Sequence, residues 1–585
     1  MALIARYATR ALVAALMAIG CVVVFAAPAS AHAQLLSTNP VDGAVLITSP
    51  SQVVLRFDQA VEIDLGAVRV LSTSGSRVDQ GNTFHPGGEA SSVAIDLRPR
   101  LPDGTYIVAW RVISADSHPV HGGFIFSVGS TAGAAKARAL ATTLGAGSAS
   151  TAVGILFWLV RVAELGGLIL LVGLALVIEI AWRAGGATRR LRRLLTISWG
   201  ITFMSSILGI ALQGVYGSAL PLPDLFQPSL VSAVLHTRYG EVEMLRLLLL
   251  IAAVPVLLGA VAQVRSGGTR TALLIAGVPI GVGLLATPGL SGHAATGIVI
   301  GIGIPADLLH MLSVSLWAGG LTLLLAVALP GLVPDERPSD ERMVMLRISA
   351  LAFGAVCGIV VTGVVLAIRQ INSLSGLFDT TYGQILIAKS SIALVVIGLG
   401  ALARRTLHGR LLAWPQIVWR SQAAVPVPGA LAAMGRGQGE LGRRFALGVA
   451  AELVLIASVL GVTGALINAV PPRQLQTRPF TATWNVLGVQ VNAVVEPAAA
   501  GPGNEFHFYV LGPGGEPKAI PELDAEVTLQ SEDIGPLAIP LTVAGPGHYQ
   551  DNNFDLPFAG TWVLRLTVRT TAIDEQLIYV KVPVS

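Results

Sequence analysis

Eight apolar runs, near residues 152–182, 195–218, 244–264, 271–291, 303–331, 344–370, 384–403 and 445–469, constrain this chain more than any other feature. Each is long enough to cross a hydrocarbon layer of about 30 Å as a helix. Lipid offers no water to a peptide group, so such runs become helices whose N–H and C=O groups pair within the segment. Composition agrees: 53% of the 585 residues are hydrophobic and 12% charged, about half the charge of a soluble domain. The chain is expected to be an integral, multi-pass membrane protein.

Arginines set the expected orientation. Arg183, Arg189, Arg190, Arg192 and Arg193 follow the first run, Arg265 and Arg270 the third, and Arg404, Arg405, Arg410, Arg420, Arg436, Arg443 and Arg444 the seventh. The loops at 290–300 and 371–383 carry no Lys or Arg. Positive residues stay on the cytoplasmic side, so the N-terminal segment lies outside, and an even number of spans returns the C-terminal segment there. In the 332–343 loop Arg337 and Arg342 are outnumbered by Asp335, Glu336, Asp340 and Glu341, but acids count little in this rule. A net charge of +4, with the arginines in loops, argues for membrane topology and against a nucleic-acid partner.

The N-terminus reads as a signal peptide over residues 1–31: Arg6 and Arg10, an apolar stretch from Ala11 to Ala27, then small residues at Ala29 and Ala31. Cleavage after Ala31 would make His32 the first mature residue. An amino-terminal histidine offers a metal two donors, its imidazole Nδ1 and an α-amine with a pKa of roughly 8, a pairing that suggests copper. Cys21 leaves with the signal peptide and Cys357 remains alone, so no internal disulfide, zinc ribbon or iron–sulfur site is expected.

The expected architecture has three parts after the signal: an exported β-sandwich at 32–128, an eight-helix transmembrane bundle at 151–470, and an exported, immunoglobulin-like β-domain at 471–585. Residues 129–150, rich in Ala, Gly and Ser, read as a flexible linker. In the last part Val489 to Val495, Phe506 to Val510 and Trp562 to Val568 are strand-like, separated by turns such as Gly512-Pro513-Gly514-Gly515. His507 and His548 there could bind metal, but surface placement is the favoured reading.

Asp116 and His118 stand two residues apart, and in an extended segment that spacing puts both side chains on one face. With the two nitrogens of His32 they supply three nitrogens and one oxygen, a set suited to tetragonal Cu(II). Together with Asn39-Pro40-x-Asp42-Gly43, Leu55-x-Phe57, Leu101-Pro102-Asp103-Gly104-Thr105-Tyr106 and Trp110-Arg111, the Asp116-x-His118-Pro119 segment resembles the CopC family of periplasmic copper-binding proteins. The resemblance implies a small antiparallel β-sandwich that holds Cu(II) through His32, Asp116 and His118. Some relatives add a methionine-rich Cu(I) site; no methionine occurs between His32 and the membrane block, so that site is expected to be absent. An acidic residue that supplements the site in some relatives falls near Gln59 and is not carried over. His85 and His121 read as loop histidines.

An ionisable residue inside an apolar span is costly and is a functional candidate by default. The fifth run holds Asp307-Leu308-Leu309-His310-Met311, then Trp317 and Gly319-Gly320, and Ser291-Gly292-His293-Ala294 ends the fourth. Asp307 and His310 are neighbours on one helical face. The Gly-His-Ala turn, Asp-x-x-His and Trp-x-Gly-Gly together resemble the CopD family of copper-transport membrane proteins, which implies copper movement across the membrane. The expected path runs from His293 near the outer surface to His310, backed by Asp307, with Met311 or Met204 as soft ligands for Cu(I). Arg161 and Glu164 need partners inside the bundle, either each other or polar groups on neighbouring helices. Arg246 and Lys389 read as snorkelling to the interface. An internal echo links Thr237-Arg238-Tyr239-Gly240 and Arg246 to Thr380-Thr381-Tyr382-Gly383 and Lys389 at an offset of 143 residues, as in proteins built from repeated helical units.

The expected function is copper capture outside the membrane followed by uptake. The alternatives are extracytoplasmic sequestration giving tolerance without transport, and a membrane electron carrier with His293 and His310 as haem ligands. An oxidative copper enzyme is disfavoured because Asp116 would fill the position that oxygen needs, so no enzyme activity is expected. No Walker motif is present, so movement would follow a gradient, a potential or a partner's reducing power. The expected partners are the copper ion, the lipid bilayer and a copper chaperone or reductase.

Overall fold

A computed structural model describes residue 33 and residues 35–584, apart from breaks at 58, 115–116, 132, 146–148, 183–187, 263–267, 293–299, 329–340, 372–373, 423–427, 468, 470–479, 497, 499 and 514–516. The expected signal segment, His32, Asp116 and His293 lie outside the described residues. The chain divides into two compact units, one holding the membrane helices and the other both β-rich regions.

The N-terminal β-region is a two-sheet sandwich. One sheet has the order Leu35–Asn39 (β1), Gln52–Phe57 (β3), Ser92–Leu97 (β6), Asp79–Phe84 (β5); the other has Val45–Leu46 (β2), Pro119–Val128 (β8), Gly104–Ser114 (β7), Val61–Ser72 (β4). Alternation drives this arrangement: in β3 Val53, Leu55 and Phe57 are buried while Gln52 and Arg56 face water. The core is closed by Phe57 packed edge-on against Trp110, ring centroids 5.4 Å apart.

The 129–150 stretch is not the flexible linker its composition suggests. It carries a helix, Ala134–Gly145 (α1), whose Ala137 and Ala141 are buried against Ile107 and Ile125. Small residues are what let it dock. The Ala141 carbonyl sits where a Cβ on Gly123 of β8 would be, and Arg138 pairs with Asp42 at 3.2 Å.

The C-terminal β-region is a second sandwich. One sheet has the order Thr542–Gly545 (β14), His548–Leu556 (β15), Gly501–Leu511 (β11), Val489–Glu496 (β10), Phe480–Val486 (β9); the other has Ile534–Ile539 (β13), Glu522–Leu529 (β12), Gly560–Arg569 (β16), Glu575–Val584 (β17). Phe506, Phe508, Val510 and Trp562 fill its core.

Among the described residues eight helices are long and apolar enough to cross a membrane: Thr151–Ala181 (α2), Arg189–Gly217 (α3), Arg238–Val261 (α4), Thr271–Leu290 (α5), Gly301–Ala326 (α6), Met343–Gln370 (α7), Thr381–Leu402 (α8) and Gly448–Ile467 (α9). The protein is a multi-pass membrane protein. Its α2 and α6 cross closely, because a Cβ on Gly319 would collide with the backbone of Gly173. The internal echo is structural at the start of two spans. Thr237 Oγ1 accepts from the Gly240 N–H at 3.2 Å, and Thr380 Oγ1 accepts from the Gly383 N–H at 3.1 Å, the same N-terminal cap on α4 and α8.

Candidate functional site

Strand register gathers three parts of the N-terminal sandwich at one end. Leu35, at the start of β1, pairs with Phe57 at the end of β3, and Val61, opening β4, pairs with Ser114 at the end of β7. The start of β1, the Gln59 turn and the Ser114–His118 turn therefore lie together. Ala33, the neighbour of His32, is already buried in the sandwich core, so the chain is anchored immediately after its expected first residue.

The segment holding His118 is not extended. Ser114 N–H donates to the His118 carbonyl at 2.9 Å and Ser117 N–H to the Ser114 carbonyl at 2.8 Å, closing a tight turn between β7 and β8. Ser117 takes φ +71°, a left-handed conformation that costs a non-glycine residue roughly 1–2 kcal/mol. Such strain concentrates where side chains are being aimed. His118 therefore closes a chain reversal between β7 and β8, while Asp116 lies outside the described residues. The His118 ring is 4% exposed.

Gln59 was passed over by the sequence reading because it is not an acid. It is 6% exposed, and neither end of its amide has a hydrogen-bond partner among the described residues. A buried amide left so is costly, and it sits at the same end of the sandwich as the His118 turn. His121 is a residue of strand β8, not of a loop. His85 is a loop residue whose Nδ1 lies 2.8 Å from the Ser92 carbonyl.

In the membrane unit, His310 on α6 has a partner other than the one expected. Its Nδ1 lies 2.9 Å from Thr362 Oγ1 on α7, and the Thr362 hydroxyl spends its proton on the Gly358 carbonyl at 2.6 Å. The Thr362 contact is made at Nδ1, so Nε2 stands clear of that hydroxyl, and the Ile359 carbonyl is a further hydrogen-bond acceptor for the ring. Asp307 faces the charges of Lys389 on α8 and Arg369 on α7. Lys389 is thus part of this cluster, not an interface anchor. Arg369 reaches in where a Cβ on Gly303 would stand.

Met311 is 8% exposed within the apolar core of the bundle, and Met204 is 53% exposed on the outside of α3. Met204 therefore faces away from any path through the bundle. Trp317 packs in a core with Leu321, Val396 and Val449.

A second polar cluster occupies the other half of the bundle. Glu164 on α2 pairs with Arg246 on α4, across helices. Arg246 also reaches Glu243 at 2.6 Å and donates to Thr287 Oγ1 on α5 at 2.8 Å, while Ser206 donates to Glu164 at 3.3 Å. Arg246 is 3% exposed, so it does not snorkel. Arg161 stacks over Phe157 at 4.3 Å and Tyr239 at 5.6 Å. Asp307 lies 143 residues beyond Glu164, as Lys389 does beyond Arg246. Each half thus sets a carboxylate on its first helix against a cation on its third.

Sequence reasoning also missed Glu452 on α9. It is 2% exposed, its Oε2 has no hydrogen-bond partner among the described residues, and it lies beside Gly400 and Trp317. The available signal was a lone carboxylate in an apolar run. No three His, Cys, Asp or Glu side chains form a metal cage among the described residues, two of the three expected ligands lying outside them.

Comparison with known proteins divides the chain along these lines. The CopC domain model matches residues 35–129, the copper resistance protein D-like N-terminal domain 130–302, and copper resistance protein D 342–466. The copper transport protein CutJ of Bacillus subtilis is 27% identical over 564 residues, 93% of this chain and 94% of that protein. Copper resistance protein C of Escherichia coli is 33% identical over 116 residues, 19% of this chain and 90% of its own length. The crystal structure of CopC from Methylosinus trichosporium OB3b matches 17% of this chain and 93% of its own, with 30% identity and a TM-score of 0.16.

Proposed function

This chain belongs to the CopC and CopD copper-resistance family, and on that premise we propose that it captures Cu(II) outside the cell and moves copper inward through its helical bundle. The capture ligands are the α-amine and ring of His32, Asp116 and the buried ring of His118, with the Gln59 amide facing the same end of the sandwich. The division into signal 1–31, capture domain 32–128, bundle 151–470 and exported C-terminal domain belongs to this reading, as does an outside location for both β-domains.

One observation carries the transport half: a single chain joins a CopC sandwich to eight candidate spans among the described residues, in which His310 meets Thr362 through Nδ1 and sets its Nε2 clear of that contact. In the path His293 stands at the outer entrance and His310 deeper, with Asp307, Lys389 and Arg369 setting the local charge. Met311 is the soft ligand adjoining His310, where Cu(I) would be held.

Labelled-copper accumulation in cells carrying wild-type, His118→Ala or His310→Ala protein tests this. A several-fold fall in both variants is expected. Unchanged accumulation in both, with greater copper sensitivity, would overturn uptake in favour of sequestration outside the membrane.

A further inference from the structure

Alternation on the C-terminal sandwich separates two faces. Val491, Ala493, Val495, Phe506, Phe508 and Val510 fill that domain's own core, so Val494, Glu496, Glu505, His507 and Tyr509 project from the opposite face. Register brings His548 of β15 beside Tyr509, and Gln550 beside His507. Val494 and Tyr509 belong to the buried cluster that also contains Ala33, Phe57 and Trp110 of the capture domain. This face is therefore the one turned toward the capture domain, within a single compact unit.

His507 Nδ1 and His548 Nε2 are 3.2 Å apart on this face. Two imidazole nitrogens bound to one ion at about 2.0 Å, with tetragonal to tetrahedral angles, stand about 2.8–3.3 Å apart. On its other side His507 Nε2 lies 3.4 Å from Glu505 Oε2. A carboxylate behind a ligating histidine fixes the tautomer, here Nε2–H, and turns the Nδ1 lone pair toward the metal. His507 is 4% exposed, contrary to the surface position its sequence suggested. The Tyr509 ring stacks on His548 at 4.4 Å.

We propose that His507 and His548 form a second copper site, on the face of the C-terminal domain that packs against the capture domain. Two imidazoles leave further coordination positions to water or an incoming ligand, which suits transient holding more than storage. Glu505, with a side chain 23% exposed, leaves the pair reachable. Cu(II) is the ion because it heads the affinity order for nitrogen donors and because the family reading supplies it as cargo; the histidine pair itself stands independently of the His32 site.

The test uses the full-length protein in detergent, stripped with chelator and titrated with Cu(II) or Zn(II), in wild-type, His118→Ala, His507→Ala and doubly substituted forms. Substituting His507 is expected to remove one Cu(II) equivalent in both backgrounds, with loss of a nitrogen-coupled signal in electron paramagnetic resonance. Glu505→Gln should keep that equivalent and weaken it about 10- to 100-fold. His507→Gln, checked by its melting transition, removes the nitrogen with little change in volume and should lose the same equivalent. Identical stoichiometry in wild-type and both His507 variants would overturn the site. Binding of Zn(II) that Cu(II) fails to displace would overturn the assignment to copper. Loss on His507→Ala with none on His118→Ala would sink the capture reading and leave this one standing.

Discussion

Replacing Arg246 by methionine isolates the energetics of the intramembrane ion cluster. Arg246 is 3% exposed and is shared between Glu164, 6% exposed, and Glu243, 1% exposed, with a further bond to Thr287. Methionine fills much of the same volume and removes the charge, leaving Glu164 and Glu243 without their shared guanidinium and Arg161 as the cation still near Glu243. Breaking a buried pair from one side costs about 3–5 kcal/mol, and the lost Thr287 bond adds about 1 kcal/mol. About 5 kcal/mol of destabilisation is therefore expected, read from unfolding in mixed micelles by SDS titration with helicity as the signal. The reasoning also predicts a rescue. Glu164→Gln and Glu243→Gln added to Arg246→Met remove the stranded charges, and the triple variant should return to within about 2 kcal/mol of wild type, because swapping an ion pair for neutral groups is close to neutral. Loss of less than about 1 kcal/mol in the single variant, or a triple variant as unstable as the single, would refute the account.

The equivalent exchange in the other half, Lys389→Met, should destabilise through Asp307, with Asp307→Asn restoring most of the loss in the same assay. Gly123→Val should push α1 off the sandwich, where the Ala141 carbonyl occupies the Cβ position, at about 1–3 kcal/mol, seen as faster hydrogen exchange over 134–145. In the C-terminal domain, burial first, with Glu505 and Asp42 adding, pushes the Glu496 carboxyl up to about 8. The folded state then holds the proton that the unfolded chain releases near its ordinary pKa of about 4.3, so stability falls as pH rises between those values. His548 works the other way, adding stability from about 4 to its ordinary value near 6.5. Above that only the Glu496 loss remains, and Glu496→Gln should flatten the pH profile of the domain's urea midpoint from about pH 6.5 to 8, measured by pulse proteolysis.

The residues misread in the sequence share a cause. Arg246 and Lys389 lie near span ends, where long cations reach the interface at little cost, but each has an opposing carboxylate on another helix. Arg161 and Glu164 satisfy the i, i+3 rule, yet each also has partners that the rule does not name: Phe157 and Tyr239 form an aromatic bed for Arg161, and Arg246 gives Glu164 a full charge. The Ala/Gly/Ser composition of 129–150 describes a linker as well as it describes a helix whose small face fits a shallow groove. Gly123, Ile107 and Ile125, all outside that stretch, tell the two apart. His507 and His548 are separated by 41 residues and meet through β11–β15 pairing.

The sequence by itself determined that this chain spans a membrane eight times and carries β-rich regions before and after the spans. Those properties are local: a peptide group in lipid must pair within its own segment, and strand alternation is written two residues at a time. Tertiary structure alone decided which charge answers which, that Thr362 holds His310, that Gln59 lies buried beside the His118 turn, and that two histidines of the last domain stand 3.2 Å apart. Long-range partners depend on helix crossings and strand register, which bring together residues that no spacing rule connects.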